Sequence, residues 1–254
     1  ASLGPVLWYH WIPLAAMEAE VGDMEGARKS VASFHRDIDE YGANLADNDP
    51  RHALLESTEG LDALVQLIGG SPQPAYATAV KVIEQVRAVE TPERGPAKIM
   101  QTAILRSNLD TAAIAGIRTG HYREAEAFAA QLKDIVPDST NQDDPRQRAA
   151  HCDTLRAHAI AMQGRGEEAL AIVASALEYY RDEAKNGAAT TWFLHEYAYA
   201  LTVSAIARTD MPAERAKRTA ELDDAVRVLD GASAEAKRMA SYRELSSLIA
   251  RARG

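Results

Sequence analysis

Cysteine is almost missing from this chain: Cys152 is the only one in 254 residues, so no disulfide forms within it. Aromatic residues make up only 6% of the sequence, which leaves small and aliphatic side chains to build the core. No apolar run approaches the about 20 residues that span a bilayer. The longest candidate, Leu3–Leu14, is interrupted by Gly4, Pro5, His10 and Pro13. A basic surplus is also lacking. With 28 Lys and Arg against 37 Asp and Glu, the net charge is −9, and a nucleic acid is not expected as the main partner, because phosphate contacts need clustered cations. In Ala213–Asp224 the cations Arg215, Lys217 and Arg218 alternate with Glu214, Glu221, Asp223 and Asp224, the pattern of a solvated helix face. Strand signals are absent too: no sustained apolar–polar alternation occurs, and no Asn-Gly or Asp-Gly hairpin lies between such runs.

What is present is helical. Apolar residues amount to 46% and charged ones to 26%, a globular rather than disordered balance, and alanine, the strongest helix former, is abundant. Val82, Ile83, Val86 and Val89 recur at three-to-four-residue spacing, as do Met239, Tyr242, Leu245 and Ile249. Asp49-Pro50, Ser71-Pro72 and Asp144-Pro145 each place a capping residue before a proline suited to the first helical turn. The spacing predicts an all-α fold of about eleven helices, over 6–21, 24–41, 50–68, 72–90, 96–119, 121–136, 145–163, 166–186, 189–209, 212–230 and 233–252. The polar stretch 137–145 is the expected mobile loop, and nothing in it marks a domain boundary.

Three turns share one design. Gly22, Gly120 and Gly164 are each followed five residues later by alanine, at Ala27, Ala125 and Ala169. Glycine enters the left-handed conformation that closes a helix, and a small residue lets the next helix cross nearby. Gly70 with Ala75 is a weaker copy, and Asp210 stands where a further turn is due. In this pattern the chain resembles the tetratricopeptide repeat. The best copy carries Gly120, Tyr122, Ala125 and Pro137 in the family's register, and departs from it at Ala129 and Leu132. The turns at 22, 70, 120, 164 and 210 lie 44–50 residues apart, longer than the family's about 34. The resemblance implies a single domain over 1–254: hairpins at 6–41, 50–90, 96–136, 145–186 and 189–230, stacked as an α-solenoid and closed by a capping helix at 233–252.

Chemistry-bearing motifs are incomplete. Gly164-Arg165-Gly166 lies between helices and lacks the third glycine of a phosphate loop. His195-Glu196 opens like a zinc-protease motif, but Tyr199 stands where the second histidine belongs. His151 and His158 share a helix face but are separated by about 10 Å along the axis, too far for one metal ion. Cys152 is turned about 100° from His151, so no nucleophile–base pair is evident. No catalytic site, metal or other cofactor is therefore expected.

The resemblance instead directs attention to the inner face of the first helices, where family members touch ligands. Carried over by register, those places fall on Tyr9, Leu64, Leu67, Ile114, Ile117, His151, His158, Tyr197 and Ser204. The Lys, Arg and Asn set that grips a terminal carboxylate is missing, so a chaperone-tail clamp is not expected. These residues are either groove or inter-hairpin core. The aromatic groups Trp8, Tyr9, Trp11 and Tyr179, Tyr180, Trp192, Phe193, Tyr197, Tyr199 are likewise core or a contact surface. The reading is a non-enzymatic scaffold of bacterial type that binds a protein or peptide. The alternative is a carrier holding a lipid or sterol in a cavity between hairpins. The chain is expected to be soluble, and a periplasmic location is preferred to a cytoplasmic one from its start at Ala1 without Met and its single cysteine.

Overall fold

Glycine and alanine set the turns as their chemistry requires. Gly22 has φ +89°; its N–H donates to Ala19 O at 3.0 Å, and the Asp23 N–H donates to Glu18 O at 2.8 Å. The carbonyls left over at a helix end are satisfied in this way. Gly70, Gly120 and Gly164 also have positive φ, and Ala27, Ala75, Ala125 and Ala169 are all fully buried. A larger side chain at these alanines would hold the paired helices apart.

The computed structural model describes residues 4–135 and 144–254, with side chains from His10 onward. Residues 137–143 of the expected loop lie outside the described residues. The chain is all-α, with no strand among the described residues, and no helix among them is long and apolar enough to cross a membrane. Contacts divide it into two compact units, one running to Thr119 and the other taking in Gly120–Asp134 and the chain from Asp144 onward.

In the first unit α1 (Gly4–Glu20) packs on α2 (Met24–Ala43). A short α3 (Arg51–Leu55) precedes α4 (Gly60–Ile68), which packs on α5 (Pro72–Ala88), and α5 packs on α6 (Pro96–Thr119). The helix expected over 50–68 is thus two, broken at Glu56–Glu59. The break brings Gly60 against α6, where a Cβ would lie 2.4 Å from the Asn108 amide. Phe34, Leu54, Val82, Val86 and Ile104 are buried at the centre of this unit.

The second unit comprises α7 (Tyr122–Asp134), α8 (Pro145–Ala161), α9 (Gly166–Lys185), α10 (Thr191–Ala207), α11 (Arg215–Asp230) and α12 (Ala240–Arg253), with short 3-10 turns before α11 and α12. The chain passes between units at Gly120, and α7 packs on α8. The Asp144 carboxylate caps α8 by accepting from the Arg146 N–H at 2.8 Å. Ile160, Val173, Tyr180 and Leu201 are buried together with residues of α11 and α12.

Gly166 decides how near α9 comes to α10. A Cβ there would lie 2.2 Å from the Ala207 carbonyl oxygen, a backbone atom that cannot swing aside. Gly166→Ala is therefore expected to destabilise the protein by about 2 kcal/mol in urea denaturation, even though alanine is the better helix former. A variant as stable as the wild type would mean the two helices separate freely.

Candidate functional site

Two places collect polar side chains around apolar surface, one in each unit. In the first, α2 and α4 border a groove of about 510 Å³. Met24, Arg28, Val31, Ala32 and His35 line it from α2, Asp62, Val65 and Gln66 from α4, and Gly69 and Ser71 close one end. Val31 and Val65 are buried, whereas Arg28, Ala32, Gly69 and Ser71 are exposed, so an apolar floor opens to solvent through a polar rim. His35 Nε2 is 2.8 Å from Asp62 Oδ2, and Thr58 Oγ1 is 3.3 Å from His35 Nδ1. The hydrogen bond to Asp62 raises the His35 pKa above its ordinary value against partial burial, and the nearby charges of Asp62, Asp39 and Glu59 add to the rise.

In the second unit, α8 and α10 share a ladder of polar contacts. Glu196 is only 5% exposed. Its carboxylate receives His151 Nδ1 at 2.7 Å and His195 Nδ1 at 3.2 Å. Burial alone would raise its pKa, but His151 and then His195 override that, and the carboxyl is held below its ordinary range. Further along, His158 Nδ1 lies 2.7 Å from the Tyr199 hydroxyl. Burial pushes His158 down to about 4, and the charge of Arg251 on α12 acts in the same direction. The Tyr180 hydroxyl is buried without a hydrogen-bond partner among the described residues, and burial drives its pKa upward. No group of three or more His, Cys, Asp or Glu among the described residues is arranged to hold a metal ion. Glu196 bridges two imidazoles rather than completing a ligand cage.

The residues expected at the ligand surface fall in both units. Leu67 is buried with Ala75 and Ala115, and Ile114 packs against them. Ile117 is 9% exposed, and Leu64 lies against the core of the first unit. His158 and Ser204 are buried, and Tyr197 stacks on Tyr180 at 6.0 Å between ring centroids. His151 is partly exposed on the α8–α10 ladder. The side chain of Tyr9 lies outside the described residues. His151 and His158 lie on the α8–α10 ladder, and none of the expected residues whose side chains are described borders the groove in the first unit.

Arg28, His35 and Asp62 did not stand out in the sequence. The signal that marks Arg28 and His35 is a stripe on α2, Met24, Arg28, Val31 and His35 at four-three-four spacing, in which a cation and a histidine replace apolar residues; nothing in the sequence marks Asp62. No protein-family model, curated protein or solved structure matches the chain.

Proposed function

We propose that the chain is a non-enzymatic helical scaffold related in design to tetratricopeptide repeats, and that it binds a protein or peptide in the groove between α2 and α4. The repeat design is supported by glycines of positive φ at Gly22, Gly70, Gly120 and Gly164, each followed by a buried alanine. It is also supported by contacts between alternate helices, α4 with α1 and α6 in one unit and α10 with α8 in the other. The observation that carries the function is the groove: about 510 Å³, apolar at the floor, polar at the rim and bordered by exposed residues. A side-chain-lined trough of this kind suits a peptide, whose backbone stays solvated while a few side chains are buried. A lipid carrier needs a pocket that encloses most of its ligand, and the exposed rim favours the peptide.

Ala32→Trp tests this reading, because the position is exposed and a large ring there fills the groove without entering the core. The variant is expected to keep the wild-type circular dichroism and melting temperature while losing partners that the wild type captures from a lysate by crosslinking. Equal capture by both proteins would remove the groove from consideration. Stoichiometric lipid in an organic extract of the wild type, seen by mass spectrometry, would favour the carrier instead.

A further inference from the structure

The groove has two heptad-like seams and a polarity along its length. On α2 the lining positions Met24, Arg28, Val31 and His35 follow four-three-four spacing, and on α4 Asp62 and Val65 or Gln66, with Gly69 at the C-cap, continue a three-to-four spacing. Such seams are what a third helix packs against, its side chains entering the gaps between theirs. The α2 seam covers eleven residue steps, about 16 Å at the helical rise, which is three turns of a bound helix. An extended peptide would leave those gaps unfilled.

Charge differs between the two ends. At one, Arg28 is exposed and has no ion pair among the described residues. Beside it Ser71, whose side chain makes no capping bond, stands at the N-terminus of the 17-residue α5, a partial positive charge. Glu25 and Lys29 pair with each other at 2.7 Å, and the Asp23 carboxylate is engaged by the Gly26 N–H at 2.9 Å, so the local acids leave Arg28 unopposed. At the other end the charges of Asp62, Asp39 and Glu59 act on His35, and Lys81 is bound to Glu59 at 2.7 Å. Among these groups three carboxylates face one lysine and the His35 ring, so acids outnumber cations even when His35 is protonated.

We propose that the groove takes an amphipathic helix from a partner protein, laid antiparallel to α2, with basic residues in its first turn against Asp62 and an acidic residue in its last turn against Arg28. This rests on the groove being the docking surface proposed above. The orientation satisfies the dipole of the bound helix as well as its side chains, since its positive N-terminus faces the acidic end. A second copy of this chain is the poorer occupant. Its described helices are already packed against neighbours, and α12, at the C-terminal end of the chain, carries Arg251 and Arg253 in its last turn, the opposite polarity.

The probe is a phage-displayed library of alanine-rich helices of about 14 residues, four turns, with leucines at three-to-four spacing and randomised first and last turns. It is selected on the wild-type protein and counter-selected on Ala32→Trp. The expected result is enrichment of Lys or Arg in the first turn and of Asp or Glu in the last. A selected peptide should bind about tenfold more tightly than its charge-reversed twin, from two rim ion pairs of modest strength. The double variant Arg28→Glu/Asp62→Lys should invert that preference. Clones enriched without charge bias, or with the reverse bias, overturn the orientation and leave the groove reading intact. No enrichment, while captured partners still depend on Ala32, overturns the helical occupant. Clones retained equally by Ala32→Trp overturn the groove reading itself.

Discussion

Arg208→Met is expected to destabilise the second unit by about 3–5 kcal/mol, and adding Glu221→Met is expected to restore most of the loss. Arg208 follows the last residue of α10, and its guanidinium is turned inward with 6% exposure, as is Glu221 on α11. Arg208 Nη1 donates to Glu221 Oε2 at 2.9 Å, to Ser204 Oγ at 2.6 Å and to the Ser204 carbonyl at 2.8 Å; Ser204 Oγ donates to Glu221 Oε1 at 3.1 Å. A partly exposed Glu214 accepts from Nε at 3.2 Å. Removing the cation alone strands a buried carboxylate with one hydroxyl donor. Removing both charges leaves an apolar patch of similar volume. Burial already pushes the Glu221 carboxyl above its ordinary range despite Arg208, so desolvation outweighs attraction at this site. A double-mutant cycle by urea denaturation reads the difference. A single variant within about 1 kcal/mol of wild type, the scale of an exposed ion pair, or a double variant worse than the single, would refute the argument.

Ser204, one of the positions carried over by resemblance, lies buried between Arg208 and Glu221, partners that a register does not reveal. The helices were legible because their causes are local: the three-to-four spacing, the caps at Asp144 and Asp49, and the glycines at 22, 70, 120 and 164. The buried alanines five residues on were legible for the same reason. What each helix meets is set by residues far along the chain. His151 finds Glu196 45 positions away, and His158 finds Tyr199 41 away. The same applies to the break between α3 and α4, where Gly60 accommodates Asn108 of α6. The groove escaped because one of its walls is α2, whereas the positions carried over by resemblance fall on α1, α4, α6, α8 and α10. His195-Glu196 failed as a zinc motif yet holds a structural carboxylate, since a one-dimensional motif does not show which side chain crosses to the neighbouring helix.

His158 gives the protein a specific weakness to acid. The unfolded chain takes up a proton at the ordinary imidazole value of about 6.5, whereas the buried ring in the folded state stays neutral down to about 4. Below the first value the unfolded state binds more protons, so stability falls with pH across the interval between the two. Above about 6.5 neither state is charged and no loss occurs. Across the whole interval the loss amounts to about 3 kcal/mol. Glu196 acts in the same direction at more acid pH, because the contribution of its depressed carboxyl is complete above the unfolded carboxylate value and is lost progressively as pH falls below it. His35 in the first unit acts oppositely: raised by Asp62, it favours the fold below the ordinary imidazole value and loses that contribution as pH rises. His158→Phe separates these contributions, since it keeps a ring in place, forfeits the Tyr199 contact at every pH and removes only one titration. Urea denaturation at steps from pH 7 to pH 4 should give curves that converge. The stability of the wild type relative to His158→Phe should fall by about 3 kcal/mol over that range, and parallel curves would show that the ring is charged, or reached by water, in the folded protein.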